Sequence, residues 1–191
     1  MPKTIFVSKC VNLPRQPDAL FLEELSAIYG AEKYQESILP LLKNAASSLK
    51  LRSVLAGHLY DTLEHSTRLE KVFGQFGQRA KGPQTEAILG IAREAEQLIG
   101  RTQQGTATRD AGLILAARQL EHYEISAYTS LAQLARRFEY DEIADSLETT
   151  LNEEKDADDL LTSLADNYVD PEASRERARA GATDPGRDGQ H

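Results

Sequence analysis

The chain is poor in the residues that mark disulfide-rich, secreted or membrane-spanning proteins. Its 191 residues include one cysteine and no tryptophan. Cys10 alone cannot form an internal disulfide, so nothing points to an oxidising compartment. The longest apolar run, Leu113–Ala117, is far shorter than the roughly 20 residues of a membrane helix. No apolar signal-type segment follows Lys3. We therefore expect a cytoplasmic protein without a membrane segment.

An excess of positive charge is also missing. The chain carries 22 basic and 30 acidic residues, for a net charge of −8. This balance argues against a nucleic acid or an anionic membrane as partner. The central part of the chain is rich in Ala, Leu, Glu and Gln, which favour helices, and it lacks the Val/Ile/Thr alternation of strands. The composition predicts an all-α protein.

Helical periodicity divides the chain into three parts. Residues 1–17 contain three prolines and no helical period, which predicts an N-terminal arm. Residues 18–168 carry apolar stripes with alternating three- and four-residue spacing, which predicts a helical bundle. Residues 169–191 hold almost no large apolar side chain, so we predict a disordered C-terminal tail.

Four long helices and one short helix are predicted within the bundle. The short helix, over 84–98, lies in the long connection between the second and third long helices. Short connections within two helix pairs and one long crossover between them are typical of a four-helix bundle. The long helices are predicted over 19–45, 49–76, 109–138 and 141–168.

Metal-ligand residue types interrupt the stripe of every long helix near its middle. Unpartnered carboxylates in a core cost several kcal/mol each, so we expect cations between them. Oxygen-rich ligands with one or two imidazoles suit iron or manganese, and dinuclear carboxylate bundles are built from such parts. The predicted ligands of two iron or manganese ions are Glu32, Asp61, His65, Glu121, Glu124 and Glu154.

Three further residues are candidates for outer positions or alternative ligands. His58 lies on the same stripe as His65, seven residues earlier. Glu64 neighbours His65, and Asp158 follows Glu154 by one helical turn. A carboxylate-bridged metal pair in a dry bundle suits reaction with peroxide or dioxygen, or oxidation of ferrous iron.

A metal-free protein is the alternative that the same residues allow. In a structural or interaction protein, the stripe acids would form a hydrogen-bonded polar layer with His58 and His65 that fixes helix register. The charge count favours the metal, since four Glu and one Asp face only two His. Protons alone would satisfy this excess only with strongly raised pKa values.

Four segments resemble the YciE/YciF-like proteins, a bacterial branch of the ferritin-like superfamily. They are LFLEELSAIYGAEK, HLYDTLEHSTRLEKVF, LEHYEISAY and LNEEKDADDLL, within residues 18–165. The resemblance implies a ferritin-like four-helix bundle, a homodimer, a dinuclear metal site and a link to stress responses.

The resemblance also assigns ligand positions. The second helix departs from the pattern, because Tyr60 and Asp61 stand where relatives tend to carry two Glu in a HLEET-like start. Asp is one methylene shorter than Glu, so Glu64 or His65 becomes an alternative ligand there. The matching acids of the other helices are Glu32, Glu121, Glu124 and Glu154.

Overall fold

The computed structural model describes residues 16–182, and six α-helices account for most of them. No strand occurs in this range, which confirms the all-α prediction. A π-helical turn over Ala165–Val169 joins the last two helices. The helices are α1 Gln16–Ala45, α2 Leu49–Gln75, α3 Glu86–Arg101, α4 Ala107–Arg137, α5 Asp141–Leu164 and α6 Asp170–Ala182.

Four of the helices form the predicted ferritin-like bundle. Short connections make α1 and α2 one packed pair and α4 and α5 another, while α1 also contacts α4 and α2 contacts α5. The short helix α3 lies in the crossover and packs on α4 and α1. Within residues 16–182, no helix is both long and apolar enough to span a membrane.

The predicted apolar stripes form the core of the bundle. In α1, for example, Leu25 and Leu39 are fully buried, and Leu55 of α2 is 1% exposed. Ile114 of α4 and Leu161 of α5 are buried to the same extent. Each such side chain contributes about 1.5–3 kcal/mol on burial, so the stripes hold the four helices in a fixed rotation. That rotation decides which polar side chains face inward.

Polar side chains cap the start of α2. The Ser48 hydroxyl accepts a hydrogen bond from the backbone N–H of Leu51 at the start of α2. The carboxylate of Asp110 in α4 accepts hydrogen bonds from the backbone N–H groups of Ser47 and Ser48, both at 2.7 Å. These hydrogen bonds connect the turn between α1 and α2 to α4, and they align the two helix pairs along the bundle axis.

The crossover passes directly over α1. A Cβ atom on Gly30 would lie 2.0 Å from the carbonyl oxygen of Pro83, and one on Gly82 would lie 1.9 Å from that of Ser26. Only glycine permits this approach of the two backbones. The contact fixes the crossover to α1 two residues before Glu32.

The structure differs from the predicted tail over Asp170–Ala182, which form α6. Glu176 explains its position, because its carboxylate accepts hydrogen bonds from the backbone N–H groups of Ala107 at 2.8 Å and Thr108 at 3.1 Å. A carboxylate is stabilised at the positive N-terminus of a helix such as α4. The rest of the predicted tail, 183–191, and most of the predicted arm, 1–15, lie outside the described residues.

Candidate metal centre

Six buried side chains meet at mid-height of the bundle, and we call them the buried cluster. Residues seven or three positions apart share one face of a helix, which explains why α2 and α4 contribute two members each. Five of the six are fully buried and the sixth, His58, is 5% exposed. The members are Glu32 of α1, His58 and His65 of α2, Glu121 and Glu124 of α4, and Glu154 of α5.

The donor atoms of the buried cluster form two groups that share one residue. Within each group, one nitrogen or oxygen atom of every residue lies within 4.8 Å of the others. Glu154 belongs to both groups, so its carboxylate connects them. The groups are His58, Glu121, Glu124 and Glu154, and Glu32, His65 and Glu154.

Each imidazole faces two carboxylates. His65 Nδ1 lies 2.9 Å from Glu154 Oε1 and 3.4 Å from Glu32 Oε1. His58 Nε2 lies 3.3 Å from Glu121 Oε1 and 4.0 Å from Glu154 Oε2. The two carboxylate oxygens of Glu154 thus point towards different histidines.

Most polar atoms of the buried cluster have no hydrogen-bond partner, despite these short separations. A buried polar atom without a partner costs about 1–3 kcal/mol, and folded proteins contain few of them. The atoms converge on the same space and are donors of the type that iron and manganese bind, so the residues fit a pair of such ions. They are Glu32 Oε2, both nitrogens of His58, Nδ1 of His65, and both carboxylate oxygens of Glu121, Glu124 and Glu154.

The carboxyl groups on α4 and α1 hold their protons more tightly than usual. Burial, followed by the charges of nearby carboxylates, raises the pKa of Glu121 and of Glu124 well above the ordinary value. Burial raises the pKa of Glu32 to about 7, although His65 opposes the shift. Protons therefore replace part of the positive charge that bound cations would supply.

The pKa values of the two histidines shift in opposite directions. Burial lowers the pKa of His58, which keeps its ring neutral and able to donate a lone pair. Burial also disfavours the His65 cation, but the carboxylates of Glu154 and Glu32 more than offset this and raise its pKa to about 10. A metal ion at His65 Nδ1 would have to displace a proton there.

Three side chains outside the buried cluster orient its members. His65 Nε2 donates to Glu153 Oε2 at 3.0 Å, which leaves Nδ1 facing Glu32 and Glu154. Arg68 holds Glu153 through two hydrogen bonds, at 2.7 and 3.2 Å. This is the arrangement by which carboxylates fix metal-binding histidines.

Tyr128 plays the corresponding role for Glu32. Its buried hydroxyl donates to Glu32 Oε1 at 2.5 Å, and its ring meets the His65 ring edge-on with centroids 6.4 Å apart. Burial raises the pKa of Tyr128 well above the ordinary value, so the hydroxyl keeps its proton. The hydrogen bond holds the oxygen that lies 3.4 Å from His65 Nδ1, and the second oxygen of Glu32 has no partner.

The structure brings together five of the six predicted ligands and leaves Asp61 out. Asp61 and the alternative ligand Glu64 are exposed on α2. The stripe of α2 runs through Thr62, and a neighbouring residue is rotated by about 100° around the helix axis. His58, predicted as an outer residue or alternative ligand, takes the place in the cluster.

The structure also shows the positions of two other acids, Asp158 and Glu153, relative to the buried cluster. Asp158 belongs to neither donor group, since Arg118 Nε and His122 Nε2 contact its carboxylate at 2.7 and 3.2 Å. Sequence reasoning missed Glu153 as the residue that orients His65. Its position next to Glu154, off the stripe, was the only signal in the sequence.

Comparison with known proteins identifies relatives over most of the chain. Residues 16–174 match the family described as a domain of unknown function, DUF892. The chain is 37% identical over 155 residues to protein YciF of Escherichia coli strain K12, an alignment that covers 81% of this chain and 93% of that protein.

Two solved structures share the fold and a substantial part of the sequence. The crystal structure of the E. coli stress protein YciF matches with a TM-score of 0.77 and 36% identity, over 82% of this chain and 99% of that chain. YcfI of Rhodopseudomonas palustris, described as a candidate structural protein, matches with a TM-score of 0.74 and 33% identity. That match covers 78% of this chain and 97% of YcfI.

Proposed function

Because the chain belongs to the DUF892 family of YciF-like proteins, we propose that its buried cluster binds a pair of iron or manganese ions. The protein then acts in stress by consuming peroxide or reacting with dioxygen, or by oxidising ferrous iron. The observation that carries the proposal is the pair of donor groups sharing Glu154, whose buried atoms lack hydrogen-bond partners.

Charge balance supports two divalent ions over one. The buried cluster holds four glutamates and two histidines, and two divalent cations would neutralise all four carboxylates. Glu154 is suited to contact both ions, because Oε1 faces His65 and Oε2 faces His58. Bound iron or manganese would supply Lewis acidity and one-electron redox chemistry.

The protein's own contribution is a fixed and dry ligand set. Arg68 and Glu153 hold the His65 ring, and Tyr128 holds the Glu32 carboxylate. Buried aliphatic side chains one turn away on the stripes, such as Ile28 and Leu55, exclude bulk water from the cluster. Ligands held in this way would bind the ions in one fixed arrangement.

The competing function is a metal-free structural bundle. The description of YcfI as a candidate structural protein favours it, as do the contacts of His65 with Glu154 and Glu32. A polar layer of this kind would satisfy its members by hydrogen bonds. Glu121 lies beside Glu154 and Glu124 beside Gln35. No oxygen of Glu121 or Glu124 has a partner in hydrogen-bond geometry, however, which is why we favour the metal.

Metal content after reconstitution tests the proposal. Purified apoprotein is loaded anaerobically with Fe²⁺ or Mn²⁺, freed of excess metal, and subjected to elemental analysis. We expect about two ions per chain and, for iron, an absorption change on addition of peroxide. Less than a few tenths of an ion per chain with both metals contradicts the proposal and supports the structural bundle.

Substitutions of single ligands locate the site. Glu154→Gln should abolish binding of both ions, since Glu154 belongs to both donor groups. Glu121→Gln should remove the ion at His58 and leave weakened binding at His65. Both changes preserve side-chain volume, and Asp159→Asn, an exposed acid of the same helix α5, is the matched control. Full metal content in Glu154→Gln would place the site elsewhere.

A homodimer is also part of this proposal. Several large apolar side chains, including Leu49, Tyr60 and Leu115, are more than half exposed and offer surface to a second copy. Light scattering of the purified protein tests this, and a monomer at micromolar concentration would contradict it.

A further inference from the structure

A cleft between α2 and α5 has one residue of the buried cluster, His58, in its wall. It has a volume of about 350 Å³. Its wall on α2 includes Gly57, His58 and Asp61, and its wall on α5 includes Glu153 and Asp156. Four other clefts of comparable or larger size on the described part of the chain are lined by no member of the buried cluster.

His58 is the point where the cleft and the buried cluster meet. Its side chain is only 4% exposed, and neither ring nitrogen has a hydrogen-bond partner. The ring lines the cleft, while Nε2 lies 3.3 Å from Glu121 Oε1 inside the cluster. A buried neutral imidazole has one ring nitrogen with a lone pair, and as part of the cleft wall His58 is placed to bind a ligand that arrives through the cleft.

The charge of the cleft identifies the kind of ligand. Three acids, Asp61, Glu153 and Asp156, line it, and no Lys or Arg does. Glu153 is paired with Arg68, but within residues 16–182 no basic side chain forms an ion pair with Asp61 or Asp156. A cleft lined by one sign of charge concentrates ions of the opposite sign.

We propose that this cleft is the entry route by which a divalent cation reaches the buried cluster. Exposed Asp61 and Asp156 attract the ion, and His58 is the first cluster residue that it meets. The space beside Gly57 is open, since a Cβ atom there would meet nothing within 4 Å. The inference rests on the proposed metal function and adds the path and the direction of loading.

The rate of metal uptake tests the role of the two aspartates. Apoprotein is mixed with Co²⁺ in a stopped-flow instrument at low ionic strength, and binding is followed by visible absorption. The double variant Asp61→Asn/Asp156→Asn should bind Co²⁺ about three- to tenfold more slowly, with unchanged final stoichiometry. The control Glu96→Gln/Asp159→Asn removes the same charge from exposed positions outside the cleft and should bind at nearly the wild-type rate.

A second pair of variants tests the path itself. Gly57→Phe should slow uptake by filling the cleft. Gly74→Phe changes another exposed α2 glycine with open space around it, about 25 Å further along the helix axis, and should not slow uptake. Circular dichroism confirms that each variant is folded.

The outcomes separate the route from the proposed function. Wild-type protein that binds no Co²⁺ at equilibrium overturns both. Wild-type protein that binds Co²⁺, while the cleft variants load as fast as their controls, overturns the route alone. Slow loading of both cleft variants with full final stoichiometry supports it.

Discussion

Two consecutive glutamates of α5 take different positions with respect to the buried cluster. Glu154 is fully buried and belongs to both donor groups, whereas the side chain of Glu153 is 39% exposed and contacts His65 from outside. The outer contact sets the ring orientation of His65 and makes Nδ1 the nitrogen that faces the cluster. A single residue outside the ligand set therefore influences how well the ligand binds.

Loss of Glu153 should weaken metal binding without abolishing it. We expect Glu153→Ala to lower metal affinity about 10–100-fold, measured by competition with a chelator, while saturating metal still fills the site. The control is Glu148→Ala, since Glu148 also lies on α5 and pairs with an arginine, Arg136, at 2.9 Å. Equal affinities of the two variants would show that the contact with Glu153 does not orient His65.

His58 is buried and Asp61 is exposed, and the periodicity of the apolar stripe of α2 explains this difference. The α2 stripe runs through His58, Thr62 and His65, all of which are buried. Asp61 was predicted as a ligand, but it lies one position off the stripe and is exposed. The apolar stripe, which follows the rotation of the helix, therefore indicates which residues of α2 face the core. The Arg68–Glu153–His65 contacts could not be predicted, because they depend on how α2 and α5 are aligned along their axes.

At the scale of elements, two glycines determine where the crossover lies. Gly30 is inside α1, where an alanine would normally be about 0.5–1 kcal/mol more favourable. Its Cβ would overlap the backbone of Pro83 at 2.0 Å, and backbone atoms cannot move aside as a flexible side chain can. The crossover and α1 therefore constrain each other next to Glu32.

Alanine at two glycines should have opposite effects on stability. Gly30→Ala should destabilise the protein by about 1–3 kcal/mol through overpacking. Gly57→Ala, at an exposed helical glycine with open space, should stabilise it by about 0.5–1 kcal/mol. Urea unfolding followed by circular dichroism measures both. A stabilised Gly30→Ala protein would mean that the crossover does not lie against α1.

The helix boundaries show why α6 escaped prediction. The hydroxyl groups of Ser48 and Thr85 cap the first turns of α2 and α3. The residues of α6 lack a large apolar face, so composition favoured disorder. Its observed position depends on Glu176 reaching the N-terminus of α4 at Ala107, a contact across 69 positions of sequence. Local composition carries no information about such a contact.

At the scale of the whole molecule, the four stripes sufficed to predict the bundle. Their aliphatic members had to be buried together, and α1, α2, α4 and α5 pack as this requires. The same stripes carry the acids into the core, so the fold and the buried cluster come from one pattern. The bundle therefore encloses a layer of ionisable side chains whose polar atoms mostly lack hydrogen-bond partners.

The buried acids that would bind metal should lower the stability of the metal-free protein, and one substitution tests this. Glu124 is fully buried, and neither of its carboxylate oxygens has a hydrogen-bond partner. Replacing a buried polar group that has no hydrogen-bond partner by an apolar residue of similar volume removes a cost of about 1–3 kcal/mol. We expect Glu124→Leu to raise the free energy of unfolding of the metal-free protein, measured by urea denaturation.

Bound metal should make the wild-type protein more stable than Glu124→Leu. Wild-type protein at 100 times the dissociation constant of the ion gains about 2.7 kcal/mol from binding, and Glu124→Leu should lose most of that gain. Gln119→Leu, at an exposed position of α4, controls for the change in helix propensity and should shift stability by less than about 0.5 kcal/mol. A metal-free Glu124→Leu protein that is less stable than wild type would contradict this argument. In that case Glu124 stabilises the bundle without metal, as the structural function requires.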